Sequence, residues 1–272
     1  IAALIALGIL EQFDLGALPV DSVAAQHLQI EAMKLAFADV YRYVAEPSSM
    51  ALTPAQMLDD AYLARRARLI DMHRAQDFQA GNPVKGGTIY LTAADKQGMM
   101  VSFIQSNYMG FGSGCVEPHY GISLQNRGYG FSLDAASPNV VAPGKRPFHT
   151  IIPAFLTKDG QPVMSYGVMG GDMQPQGHMQ TLVRMLDYRQ GLQAACDAPR
   201  WRFNKGLNIN VEAAMNAATV QGLKDLGHEI DVINDSYQDF GAGQFIWRAG
   251  NPAVEGYVAA SDPRRDGLAA GY

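Results

Sequence analysis

Apolar residues recur at helical spacing over roughly the first 82 positions of the chain. After Asp21-Ser22, the residues Ile30, Met33, Phe37, Val40, Tyr41 and Val44 form one stripe, which predicts a helix with that stripe in the core. Thr53-Pro54 pairs an N-cap residue with proline at the first helical position and predicts a further helix reaching about Ile70. The opening run, Ile1 to Leu10, is too short to span a bilayer. It has no basic stretch ahead of it and no small-residue cleavage site after it, so a buried helix is expected rather than a signal peptide. A chain that opens on a core helix without an initiator Met is expected to have lost sequence upstream.

The period then changes. Gly81 to Gly87 reads as a turn-rich linker. Ile89, Leu91 and Ala93 alternate with Thr88, Tyr90 and Thr92, which predicts a half-buried strand. With a turn at Asp95–Gly98 and a returning strand through Val101, Phe103 and Ile104, residues 88–105 read as a hairpin. A second hairpin is expected over 151–168, with its turn at Lys158–Gln161, and then a helix from about Gln176 to Arg189. Strands near 207–211, 229–233, 244–248 and 256–260 and a helix near 213–226 complete the pattern. Helices before and after a central set of strands predict helix layers packed on sheet, an α+β class.

Composition narrows the function classes. The chain has 272 residues, 48% hydrophobic and 17% charged, so a sizeable core is available and disorder is excluded. The net charge of -5 argues against a nucleic-acid partner. Arg65, Arg66 and Arg68, the densest basic cluster, read as a solvated helix face. Cys115 and Cys196 have no zinc-like spacing, make no disulfide framework and read as buried free thiols that leave the compartment open. The six histidines are scattered and none pair at i, i+4, so no metal site is expected.

Two features carry chemistry. At Gly86-Gly87-Thr88 a glycine pair runs straight into a strand whose first residue bears a hydroxyl. If the Gly87–Thr88 bond were cut, Thr88 would hold both a nucleophilic hydroxyl and a free α-amine. An α-amine pKa near 8 suits a general base at physiological pH. Thr92, inside the strand, and Ser113, inside the glycine loop Gly110–Gly114, gain no such amine. In Met169-Gly170-Gly171-Asp172, two glycine N–H groups after a strand and before a helix can face a developing oxyanion. Asp172 is expected to cap the following helix rather than to react. There is no GxSxG elbow, GxxxxGK[ST] loop or HExxH.

Taken in order, these strings resemble the γ-glutamyltransferase (γ-glutamyltranspeptidase) family of N-terminal-nucleophile hydrolases over the whole chain. Ile30 to Asp39 is similar to the family's helix before the processing site, and Thr88 to Gly98 to the strand and turn that begin its small subunit. Phe111–Gly114, Pro143–Pro147, Gly170-Gly171, Ala260–Arg264 and Ala270–Tyr272 match further family strings in the same order. The resemblance implies a four-layer αββα sandwich made as a precursor that cleaves itself between Gly87 and Thr88. Residues 1–87 would be the C-terminal part of the large subunit and 88–272 the small subunit, together one composite domain, with a homodimer of such pairs left open. It implies an enzyme that moves the acyl group of a γ-glutamyl compound such as glutathione onto Thr88 and then to water or an amine. Gly170 and Gly171 would hold the oxyanion and Ser106 would stand where members have a second threonine. No metal or organic cofactor is called for, and the chain has no membrane segment.

The recognition positions depart from the family. Tyr108 stands where members have an asparagine, Arg127 replaces a glutamine, and Gly130 replaces the aspartate that holds the substrate α-amine. His149-Thr150 stand in for a Ser-Ser pair that binds the α-carboxylate, and the stretch from Phe131 to Lys145 is shorter than in members with a lid. The added cation and the lost carboxylate oppose a glutamyl ammonium. Hydrolysis is therefore expected to exceed transpeptidation, with a weak or shifted γ-glutamyl preference. A glutaryl-type acylase and an unprocessed scaffold remain the alternatives.

Overall fold

The computed structural model describes residues 1–78 and 87–272, so most of the expected linker at 81–87 lies outside the described residues. The chain divides into two compact units. One is drawn from Ile1–Pro83, Arg127–His149 and Pro199–Asn234, the other from Val84–Asn126, Thr150–Ala198 and Asp235–Tyr272.

The first unit is built on α1 (Ala2–Leu10) and α2 (Val23–Tyr43). Ser22 caps α2, its Oγ accepting from Ala25 N at 3.2 Å. α2 is buried on nearly every side, so the expected stripe is only part of what it hides. Gln26, His27, Glu31, Lys34 and Asp39 are buried with the apolar set, and Val44 lies just beyond the helix as its C-cap. The helix expected from Thr53 to Ile70 is broken into α3 (Pro54–Met57) and α4 (Asp60–Ala67). Asp59 restarts it, its carboxylate accepting from Tyr62 N at 2.9 Å. Arg66 corrects the solvated-face reading, because its guanidinium pairs with the buried Asp39 at 2.9 Å. Burial pushes the Asp39 carboxyl up, and Arg66 opposes that shift.

Later in sequence, the first unit holds the sheet β7 (Trp201–Lys205), β8 (Asn208–Glu212) and β9 (Glu229–Ile233). β7 was missed because only one short run separates it from β8, and Trp201 and Phe203 give it a fully buried face. β8 and β9 run parallel, joined through α7 (Ala217–Asp225), which Asn216 caps and Gly227, at φ 96°, ends.

The second unit begins with β1 (Gly87–Ala94) and β2 (Met100–Tyr108), an antiparallel hairpin. The short pair β3 (Val116–Glu117) and β4 (Ile122–Ser123) follows. A four-stranded antiparallel sheet runs in the order β11-β10-β6-β5, from β5 (Ala154–Lys158), β6 (Gln161–Met169), β10 (Ala242–Arg248) and β11 (Tyr257–Ser261). Three helices complete the unit: α5 (Met173–Leu186), α6 (Leu192–Asp197) and α8 (Ser236–Asp239).

β1 is half-buried with its more polar side inward. Ile89 and Leu91 are exposed, whereas Tyr90 is buried against Gly167. Hydroxyls make that inward face work. Thr92 Oγ1 donates to Ser165 Oγ at 2.6 Å, Tyr90 OH bonds Ser102 Oγ at 2.6 Å, and Ser102 Oγ donates to the Ala154 carbonyl at 2.8 Å. Strand side chains alternate with period two, so pinning these polar residues inward turns the apolar set outward. Of the two cysteines, Cys196 is buried as expected but Cys115 is exposed. Among the described residues no helix is long and apolar enough to cross a membrane.

Candidate active site

Thr88 is the second residue of β1, at a register irregularity between Gly87, opposite Tyr108, and Ile89, opposite Gln105. Two residues of β2, Ser106 and Asn107, face Thr88 alone there, the residue count of a bulge on β2. Thr88 Oγ1 donates to Ser106 Oγ at 3.0 Å, and Tyr108 N donates to the same oxygen at 2.8 Å. Tyr108 itself has φ 79°, so β2 ends by a left-handed residue tied back to the serine beside Thr88.

The glycine pair lies where β6 gives way to α5. Gly170 has φ 128° and Gly171 φ 61°. Their carbonyls turn back to accept from Met173 N at 3.1 Å and Gln174 N at 3.0 Å. A side chain at 170 would put its Cβ 3.0 Å from Gly241 Cα, a tight fit at a φ that already favours glycine. Thr88 and Gly170 line one cavity of about 760 Å³ within this unit, together with Met169, Gln244 and Arg265. Gly171 is buried one residue further on. Asp172 occupies the N-cap position of α5 and is buried, but its side chain makes no capping bond, which corrects that expectation.

The competing hydroxyls have structural work. Thr92 bridges Ser165 and the Val101 carbonyl. Ser113 Oγ donates to the Leu124 carbonyl at 2.9 Å and accepts from Cys115 N at 3.2 Å. The Ser-Asp-Pro-Arg string near the end is also a fastener. Asp262 accepts from Gly243 N at 2.8 Å and pairs with Arg264 at 3.1 Å, and Arg264 reaches the Cys196 and Ala198 carbonyls.

Of the expected recognition residues, Tyr108 and Thr150 belong with Thr88 in the second unit, whereas Arg127 and His149 belong to the first. Arg127 opens the 3-10 turn Arg127–Gly130. Asn139, which the sequence reading missed, organises this segment. Its Nδ2 donates to the Gly130 carbonyl and its Oδ1 accepts from Phe148 N at 2.9 Å. That clamp brings Gly130 so near Phe148 that a Cβ at 130 would run into the Phe148 carbonyl. The Lys-Arg pair is anchored too. Lys145 Nζ donates to the Pro138 carbonyl at 2.7 Å, and Arg146 grips Glu46 through two nitrogens at 2.8 and 2.9 Å. Those bonds hold the Glu46 carboxyl down at about 2.

The scattered histidines also hid a cluster. His27, Glu31 and His228 meet in the first unit with ligand-type atoms within 4.8 Å of one another. The sequence signal was the i, i+4 spacing of His27 and Glu31, which a search for histidine pairs alone passes over.

The Gamma-glutamyltranspeptidase family profile matches residues 1–272. The glutathione hydrolase-like YwrD proenzyme of Bacillus subtilis (strain 168) is 35% identical over 98% of this chain and 51% of its own length. The oxamate amidohydrolase proenzyme of Klebsiella pneumoniae is 37% identical over 93% of this chain and 48% of its own length. The crystal structure of cephalosporin acylase from Bacillus halodurans superposes with a TM-score of 0.91 at 47% identity, covering 100% of this chain and 49% of that one. The chain thus spans about half the length of these relatives. The likeness bears out the expected α+β sandwich of the N-terminal-nucleophile hydrolase type. With its whole length matched by the family profile, this chain belongs to the gamma-glutamyltranspeptidase family.

Proposed function

We propose that the chain is part of a self-cleaving amidohydrolase whose nucleophile is Thr88. One observation carries the reading. Thr88, its hydroxyl paired with Ser106, lines the same cavity as Gly170. In the cleavage step Thr88 Oγ attacks the Gly87 carbonyl carbon. The peptide C–N bond breaks, an ester forms, and the hydroxyl proton passes to the Thr88 nitrogen. Water then releases the Gly87 carboxylate and restores the hydroxyl beside a free α-amine. In turnover that amine takes the hydroxyl proton as Oγ attacks a substrate amide, and the N–H groups of Gly170 and Gly171 face the oxyanion. One such donor is worth about 3–4 kcal/mol in the transition state. Residues 1–87 would then end the large subunit and 88–272 form the small one.

The substrate is an amide of a small acyl acid, transferred to water in preference to an amine. Glutathione and other γ-glutamyl amides are one class, in keeping with the family. A second reading, a glutaryl-type acyl group without an α-ammonium, is favoured by Gly130. The Phe148 carbonyl leaves no room at that position for a carboxylate-bearing side chain, and Arg127 adds a cation three residues away.

Intact mass and N-terminal sequencing of the purified protein test the nucleophile. A small chain beginning at Thr88 is expected, and an uncut chain would point to the scaffold alternative. Steady-state rates on γ-glutamyl and glutaryl anilides separate the two substrates. Strong selectivity that depends on the glutamyl ammonium would remove the glutaryl reading.

A further inference from the structure

The buried cluster around Lys34 has a direction. Its ammonium has three N–H groups and three acceptors: Glu31 Oε1 at 2.8 Å, the Gln76 carbonyl at 3.0 Å and His228 Nδ1 at 3.4 Å. An accepting Nδ1 places the His228 proton on Nε2, which faces His27 Nδ1 at 2.7 Å. His27 then carries its proton on Nε2 and donates to the Asp71 carbonyl at 2.9 Å. Every donor in this line has an acceptor with both rings neutral. Burial, with Lys34 adding to it, pushes His228 down to about 2, and burial also lowers His27. His27, Glu31 and His228 are ligand types for a metal, but the cation among them is already the Lys34 ammonium, which also lies 6.0 Å from the Phe203 ring centroid.

The cluster joins distant stretches of chain. His27, Glu31 and Lys34 come from α2, Asp71 and Gln76 from the segment after α4, and His228 from the turn between α7 and β9. Beside it, Ala75 N donates to the Leu226 carbonyl at 2.7 Å. Everything in the cluster except His228 precedes Thr88. We infer that the line Lys34–His228–His27 is a polar lock that seats residues 71–77 against residues 226–228, and so holds the two products of self-cleavage in one register. As a device between two chains it rests on the cleavage proposed above. As a fastening of residues 71–77 it does not.

Direction supplies the test. Glutamine at 228 can accept from Lys34 and donate to His27, whereas leucine of similar size can do neither. The measurements are amide hydrogen exchange at Ala75 and the urea concentration that separates the cleaved chains. His228→Leu is expected to speed exchange at Ala75 about ten- to hundredfold, the range for a lost buried hydrogen bond to a charged group. It should also release the chains at lower urea. His228→Gln should stay within about threefold of the wild type on the same scale. If His228→Leu yields no soluble protein, His228→Asn, polar but one methylene too short to span both partners, takes its place with the same expectation. Equal exchange in the wild type, the glutamine variant and the leucine or asparagine variant overturns the lock. An uncut wild type would remove the Thr88 reading and the lock's role between chains, while the exchange contrast still decides the fastening itself.

Discussion

The strands around Thr88 and the segment over 127–149 are held by opposite means. Around Thr88 and Gly170, backbone does the positioning, through a bulge, left-handed residues at Tyr108 and Gly171, and glycines packed nearly in contact. Over 127–149 the chain has little regular structure, and side chains fasten it through Asn139, Lys145 and the Arg146–Glu46 pair. A backbone-defined site tolerates few replacements at its glycines. A side-chain-clamped segment can change its recognition residues as long as the clamps remain. The departures expected from the sequence fall mainly in the second kind of region, at Arg127, Gly130 and His149.

Four experiments bear on that contrast, taken from the largest expected effect to the smallest. Thr88→Ala should abolish the small chain and lower amide hydrolysis by about 10³-fold or more, read by intact mass and anilide release. Full activity in that variant would move the chemistry elsewhere. Gly130→Asp restores the family's carboxylate in sequence only. The Phe148 carbonyl stands where its Cβ must go, so the variant should lose about 1–3 kcal/mol of stability and gain no γ-glutamyl selectivity. A stable, glutamyl-selective variant would show that the segment yields more readily than the Asn139 clamp implies. Ser106→Ala should slow cleavage about five- to tenfold, the worth of one hydrogen bond, with Ser106→Thr close to the wild type.

Near neutral pH the effect of acid is the smallest of the four, and it grows as pH falls. The unfolded chain protonates His228 below its ordinary 6.5, whereas the folded chain holds it neutral down to about 2, so stability declines as pH falls below 6.5. Glu46 has its carboxyl lowered from 4.5 to about 2 by Arg146. Its contribution is complete above 4.5 and is lost as pH falls toward 2. Urea midpoints against pH should flatten in the upper window for His228→Gln and in the lower for Glu46→Gln. Unchanged slopes would mean that neither group differs between the folded and unfolded chains.

Elements with a strong local period were legible without coordinates. The hairpin over 154–169, strand 229–233 and the helix after Asp21-Ser22 lie close to where spacing and turns put them. β7 and α6 were not legible, because each is short and takes its meaning from what it packs against. Which face of β1 is buried was not legible for the same reason. Alternation shows that two faces differ, but partners such as Gly167 and Ser165 decide which one is buried. The proposed site was marked in the sequence where a motif is contiguous, as at Gly87-Thr88 and Gly170-Gly171. Asn139 gave no signal, since a lone asparagine in a loop looks the same with or without partners.

The sequence alone determined the α+β class, the family strings and the two pieces of backbone that bracket the proposed chemistry, because each is local along the chain. Tertiary structure decided the rest. It paired Thr88 with Ser106, closed position 130 to any side chain, and drew Lys34, His27 and His228 into one directed line. A hydrogen bond or a steric limit depends on the distance between atoms, and His27 and His228 stand 201 residues apart in the chain but 2.7 Å apart in the fold.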